Sequence, residues 1–194
     1  MIRCDVDIDF ANRDEILDLI PHISAARLEK GELKKHNTGI YLQKIPTNPI
    51  SNIATIDYET AEKRGYFKID FLNVSVYKDI KNETHLIELT NKEPLWELLL
   101  QDEFVNLLFH LKGHGEVLRK TCPISVEQLA AVLAMIRPAK RYLIGKDWTT
   151  VMKEIWEKPA NDEYYWKKSH AFGYAFVVIM QMNLICEQLE QNSV

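Results

Sequence analysis

The chain is short of positive charge, of cysteine and of uninterrupted apolar sequence, and each shortage removes a class of protein. Its 24 Lys and Arg are outnumbered by 28 Asp and Glu, for a net charge of −4. No global basic field is available to hold nucleic acid, so any such binding has to come from local patches. Three widely spaced cysteines, Cys4, Cys122 and Cys186, fit free thiols in a reducing cytoplasm better than a disulfide framework. The longest apolar stretch, Ala171 to Ile185, contains Gly173, Gln181 and Asn183. It is too short to span a bilayer and reads as a buried helix. The first residues form a polar strand, not a signal peptide. There is no internal repeat and no low-complexity segment. These absences predict a cytoplasmic protein with no membrane partner.

What is present is enough to fold. Hydrophobic residues make up 46% of 194, which excludes general disorder and suffices for one domain or two small lobes. After an acidic strand, Asn12 or Asp14 starts a helix carrying Ile16, Leu17, Leu19 and Ile20. A second helical piece is predicted over Ile23 to Lys30, ending at Gly31. Strands are predicted over Thr38 to Ile45, Ile53 to Tyr58 and Tyr66 to Asp70, then a helix from Phe71 to Ile80. Beyond that everything reads as helix: Leu95 to Leu100, a capping box Ser125-x-x-Gln128, Trp148 to Trp156 capped by Asp147, and His170 to Glu190. The fold class is α/β, with a mixed sheet lobe over residues 1–82 and a helical lobe over 83–194.

The chemistry concentrates in Cys4-Asp5-Val6-Asp7-Ile8-Asp9-Phe10. On a strand, alternation sends Asp5, Asp7 and Asp9 to one face and Val6, Ile8 and Phe10 to the other. Neighbouring carboxylates in such a row are roughly 6.6 Å apart and repel by about 2.5 kcal/mol at an effective dielectric near 20. A divalent cation removes that cost, so Asp5 and Asp7, joined by Asp70 from another strand, form a candidate site for two magnesium ions. Lys68, on the same face as Asp70, would suit a triphosphate beside the metals. The plain alternatives are a solvated acidic edge strand and a local Lys68–Asp70 salt bridge. The run Arg137, Lys140, Arg141 offers a phosphate contact or a solvated helix end. His36 stands either at a nucleic-acid backbone or at a helix end. His110 and His114 have the spacing of helical metal ligands, but Gly113 and Gly115 break that helix.

Taken in order, these segments resemble the bacterial replicative DNA polymerase III alpha subunit, the C family of DNA polymerases. Asp5-Val6-Asp7-Ile8-Asp9-Phe10 with Arg13-Asp14 resembles that family's first palm motif, and Lys34-Lys35-His36-Asn37-Thr38-Gly39-Ile40 its His-x-Gly-Gly segment, with Thr38 for the first glycine. Gly65-Tyr66-Phe67-Lys68-Ile69-Asp70-Phe71-Leu72 resembles the segment carrying the third catalytic aspartate and a triphosphate-binding lysine. Leu107 to Leu111 and Pro123 to Pro138 resemble the fingers up to an Arg-Pro-Gly-Pro turn. Trp166-Lys167-Lys168-Ser169-His170-Ala171-Phe172-Gly173-Tyr174-Ala175 resembles the Lys-Ser-His-x-x-x-Tyr-Ala motif that opens a long fingers helix.

The resemblance implies a polymerase-beta-like nucleotidyltransferase palm followed by a fingers-like lobe. Asp5, Asp7 and Asp70 would be the catalytic, metal-binding aspartates, with two Mg2+ or Mn2+. Lys68, Arg137, Lys167 and Lys168 would face the incoming triphosphate, with Ser169 and His170 fixing the fingers helix and His36, Lys140 and Arg141 near DNA. The implied reaction adds deoxynucleotides to a primer 3′-end. The family's Gly-Ser loop, thumb and clamp-binding regions have no counterpart here, and Arg-Pro-Gly-Pro is replaced by Arg137-Pro138-Ala139-Lys140. A second polymerase chain or another replisome protein is therefore expected as partner. The alternative is a non-catalytic replication scaffold derived from a palm.

Overall fold

The computed structural model describes residues 6–160 and 163–192, so Asp5 and Cys4 lie outside the described residues. The chain divides into two compact units, Met1–Asp79 and Ile80–Val194, and the class is mixed α/β.

Unit 1 is built on a five-stranded sheet of order β1-β5-β3-β2-β4. The strands are β1 (Val6–Phe10), β2 (Ile23–Glu29), β3 (Glu32–Tyr41), β4 (Ile53–Asp57) and β5 (Ile69–Asn73). Helix α1 (Arg13–Leu19) starts where the Asn12 side chain accepts from the Asp14 amide, and α2 (Tyr58–Lys63) where Asp57 accepts from Thr60. Strand β1 runs parallel to β5 in unbroken register from Val6↔Ile69 to Phe10↔Asn73. Strand β3 is antiparallel to both β5 and β2, and β4 lies parallel to β2 at the far edge.

Two predicted helices are replaced by strand. Ile23 to Lys30 is β2, because Ala25 and Ala26 are both fully buried. A central strand covered on both faces shows no alternation, and its alanines mimic a helix. Lys30 (φ 51°) and Gly31 (φ 85°) then form the left-handed two-residue turn that folds β2 back on β3, so β3 starts earlier than predicted. Phe71 to Ile80 is not helical at its start either. Parallel pairing with β1 extends β5 to Asn73, and only Ser75–Asp79 turns, as a 3-10 segment. Phe71 is buried with its ring 4.7 Å from that of Phe10, burial that contributes about 2–3 kcal/mol.

Unit 2 contains α3 (Glu83–Asn91), α4 (Asp102–Val105), α5 (Gly115–Thr121), α6 (Val126–Met135), α7 (Trp148–Glu154) and α8 (Lys168–Asn192). The predicted Leu95 helix is a 3-10 turn over Trp96–Leu100. Half of the expected capping box forms: Ser125 Oγ accepts from the Gln128 amide at 3.2 Å, but Gln128 Oε1 reaches one residue past the cap and accepts from the Ile124 amide at 2.8 Å. Every residue of α6 from Leu129 to Met135 is buried, and this helix packs against Ala171, Ala175, Val178, Ile179 and Met182 of α8 in one core. By length and composition α8 is apolar enough to cross a membrane, but half of that stretch is buried inside the protein. Its Asn183 is itself buried and donates to the carbonyls of Leu89 and Lys92, both at 2.8 Å, at the end of α3. Gln181 donates to the Leu107 carbonyl at 2.8 Å and accepts from the Phe109 amide at 2.7 Å.

Candidate functional site

Strand pairing places Asp7 directly beside Asp70. Residues in register on parallel strands project to the same face, about 4.8 Å apart across the sheet. At about 5 Å and a dielectric of 20 two carboxylates repel by about 3 kcal/mol, less where water reaches Asp7. Asp70 is the better shielded, with a side chain 13% exposed. Its carboxylate is held from two sides: Thr38 Oγ1 donates to Oδ1 at 2.6 Å, and the Lys68 ammonium is bonded to Oδ2. Lys68 also lies over the Tyr58 ring, 5.8 Å from its centroid.

The third strand of the site is shaped by an irregularity. Between Ser24↔Ile40 and Ala26↔Lys35 the register shifts, so two steps along β2 correspond to five along β3, and His36 to Gly39 are thrown into a bulge. His36 closes it. Its Nδ1 accepts from the Gly39 amide at 2.9 Å and the Thr38 amide at 3.3 Å. Two amide donors on Nδ1 fix the neutral tautomer with its proton on Nε2. The 3.6 Å approach of Nδ1 to Asp70 Oδ1 is therefore not an ion pair. Burial lowers the His36 pKa, and the neighbouring Lys68 charge lowers it further against the opposing pull of Asp70. Arg13 anchors the bulge from below: its guanidinium donates to the Asn37 carbonyl at 2.6 Å and to the Phe71 carbonyl at 3.1 Å.

Gly39 is the register partner of Asp70 in β3. A Cβ there would lie 2.7 Å from Lys68 Cδ, 3.0 Å from His36 Nδ1 and 3.1 Å from Ala25 Cβ, so only glycine leaves room for the lysine stem. The buried Tyr41 hydroxyl has no hydrogen-bond partner among the described residues. Its pKa is pushed up to about 12, by burial first and then by Asp57, Asp70 and Glu62.

The site's donor chemistry suits a hard cation. Asp7 and Asp70 supply adjacent carboxylate oxygens, the ligands magnesium prefers. Among the described residues no group of three His, Cys, Asp or Glu completes such a set, and Asp5 is not among them. Asp9, on the same strand face, acts on Tyr77, whose pKa is raised by burial and then by that carboxylate.

The expected triphosphate ligands Arg137, Lys167 and Lys168 belong to unit 2. Arg137 Cζ stacks 3.8 Å from the centroid of the Trp166 ring, and its guanidinium lies 3.4 Å from His110 Nδ1. His110 has its ring against Phe109, Trp166 and Tyr174. Burial, then the Arg137 charge, brings its pKa down to about 4. This makes His110 a half-buried neutral imidazole against an arginine, with the His114 pKa likewise lowered by burial. Lys167, Lys168 and Ser169 are exposed at the start of α8, with Lys168 Nζ 5.6 Å from the Phe172 ring centroid, and His170 packs on Trp166 and Tyr174.

Lys140 is a correction. Expected near DNA, it is 3% exposed and donates to the Glu154 carbonyl at 2.6 Å, so its ammonium serves the fold. Arg141 is exposed, with Nε donating to the Ile136 carbonyl at 3.3 Å. Thr38, Tyr58 and Tyr41 were not expected at the site. Thr38 was readable only as a departure from a glycine, and its role depends on a bulge that no local pattern announces. Neither a protein-family model nor a curated protein matches the chain.

Proposed function

We propose that this chain is a nucleotidyltransferase of the DNA polymerase type, adding deoxynucleotides to a primer 3′-end, as the resemblance to polymerase III alpha subunits implies. The observation that carries the reading is the register pair Asp7↔Asp70 with Lys68 on the second carboxylate. Asp7 and Asp70, with Asp5, would hold the magnesium ions. Ions held there would supply acidification of the attacking hydroxyl and neutralisation of charge on the phosphates. Thr38 orients Asp70 by its hydrogen bond, and the His36 bulge holds Thr38 in place. Lys68, released from Asp70, supplies positive charge to the triphosphate as negative charge develops. Primer–template DNA and a deoxynucleoside triphosphate are the substrates. A net charge of −4 favours a second polymerase chain or replisome protein that adds to the chain's own grip on the duplex, in the cytoplasm.

A second reading, a non-catalytic replication scaffold, is favoured by one fact: Asp70 has both oxygens satisfied by protein groups. Melting with and without Mn2+ separates the two. The enzyme reading expects a rise in melting temperature that Asp7→Asn removes, and primer extension that Asp70→Asn abolishes. A protein whose melting ignores Mn2+ and Mg2+ is a scaffold.

A further inference from the structure

The β2–β3 hairpin outruns the sheet that carries it. The last register pair between β2 and β4 is Ala26↔Asp57, and β5 meets β3 only at Gly39 and Ile40. Arg27 to Glu29 and Glu32 to Lys34 therefore pair only with each other, as a two-stranded ribbon closed by Lys30-Gly31, with Lys35 at its root opposite Ala26. Residues 30–35 are all exposed. The ribbon holds Arg27, Lys30, Lys34 and Lys35 against Glu29 and Glu32, a surplus of two cations on a chain whose other residues carry 20 cations against 26 acids.

These charges are unequally engaged. Glu29 takes both Arg27, at 3.1 Å, and Lys34, at 3.6 Å. Lys30 and Lys35 have no ion pair to a described residue. Leu28 and Leu33 face each other across the ribbon, 62% and 43% exposed, on the same side as Lys35. Two leucines are far below the area a stable protein interface buries. An apolar pair beside unengaged ammonium groups instead matches the sugar edges and phosphates of a nucleic acid, and a two-stranded ribbon is narrow enough to follow a duplex groove. The paired segment is about 10 Å long, which passes about three phosphates of one strand. Its root is the site itself, since Lys35 leads directly into His36, whose ring abuts Asp70.

We propose that this ribbon, through Lys30 and Lys35, grips the phosphate backbone of a nucleic-acid duplex next to the Asp7–Asp70 site. The inference rests on the nucleotidyltransferase reading and names the element that holds its polymeric substrate.

The test is fluorescence anisotropy of a labelled primer–template duplex with the full chain, between 50 and 200 mM salt, for wild type and Lys30→Gln/Lys35→Gln. Each lost phosphate contact lowers the slope of log K against log salt by about 0.9. The double variant is expected to lose about two from the slope and at least about tenfold in affinity, with unchanged melting because both side chains are exposed. Equal affinity and slope in the two proteins overturns the proposal, as does a wild type that binds no duplex. The Mn2+-dependent melting shift, removed by Asp7→Asn, reports on the carboxylates alone. A retained shift with salt behaviour indifferent to the lysines refutes the ribbon and spares the enzyme reading, whereas loss of the shift in wild type refutes the latter.

Discussion

Replacing Lys68 by methionine removes one charge and almost no volume, so it isolates the electrostatics of the carboxylate pair. The Lys68 and Asp70 side chains are 16% and 13% exposed. At a contact distance of about 2.8 Å and a dielectric of 20, their gross attraction is about 6 kcal/mol. Desolvation of both ions cancels more than half of that, leaving a net loss on truncation of about 2 kcal/mol. To this is added the loss of the ammonium's attraction for the neighbouring Asp7 carboxylate, about 1 kcal/mol after allowance for water at Asp7. Lys68→Met should thus destabilise unit 1 by about 2–3 kcal/mol, which for a unit of 79 residues lowers its melting temperature by about 8–24 °C. The double variant Lys68→Met/Asp70→Asn removes the stranded charge and should recover at least half of the loss, a coupling measurable by a double-mutant cycle. Because Mg2+ would substitute for the missing ammonium, it should raise the melting temperature of Lys68→Met more than that of wild type. Additive effects of the two substitutions, or a Lys68→Met protein as stable as wild type, would refute the electrostatic account of the site.

Three more outcomes are expected. His36→Asn, whose amide oxygen can still accept from the Thr38 and Gly39 amides, should retain more stability than His36→Phe, which leaves both unpaired at about 2 kcal/mol; chemical denaturation compares them. Because the folded-state pKa of His36 is lowered, its contribution is full above the unfolded value near 6.5 and declines as pH falls toward the folded value. His110, with a folded pKa of about 4, makes unit 2 lose stability between about pH 6.5 and 4, by the order of 2 kcal/mol after screening, and His110→Phe should flatten that acid limb in a melting-versus-pH series. Gly39→Ala, crowding Lys68 and His36, should cost about 1–3 kcal/mol by denaturant midpoint and lower any Mn2+-induced shift.

Much of the site was legible because it obeys the simplest rule of strands. Asp7 and Asp9 share a face by alternation alone, and Lys68 and Asp70, two residues apart, do so by the same rule. Their convergence was not legible, since it needs the β1–β5 register, a pairing across sixty residues. The same long-range pairing turned the expected Phe71 helix into strand. Ile23 to Lys30 failed for the opposite reason: alanines buried on both faces carry no period, so local propensity favoured helix. Lys140 shows the limit of reading charge as surface, because a basic residue in a run of basic residues spends its ammonium on a single backbone carbonyl. The helical unit was the easier half, since Ser125, Asp147 and the apolar run of α8 announce themselves within a few residues.

An apolar rod packed against apolar neighbours has little to prevent it from slipping lengthwise, since one turn of travel, about 5.4 Å, exchanges one greasy contact for another. Gln181 and Asn183 deny α8 that freedom. Each side-chain amide is bolted to backbone groups of a different segment, 107–109 for one and 89–92 for the other. A slip in either direction would strand four hydrogen bonds at once. These two side-chain amides thus convert a surface that merely adheres into one with a single mechanical stop.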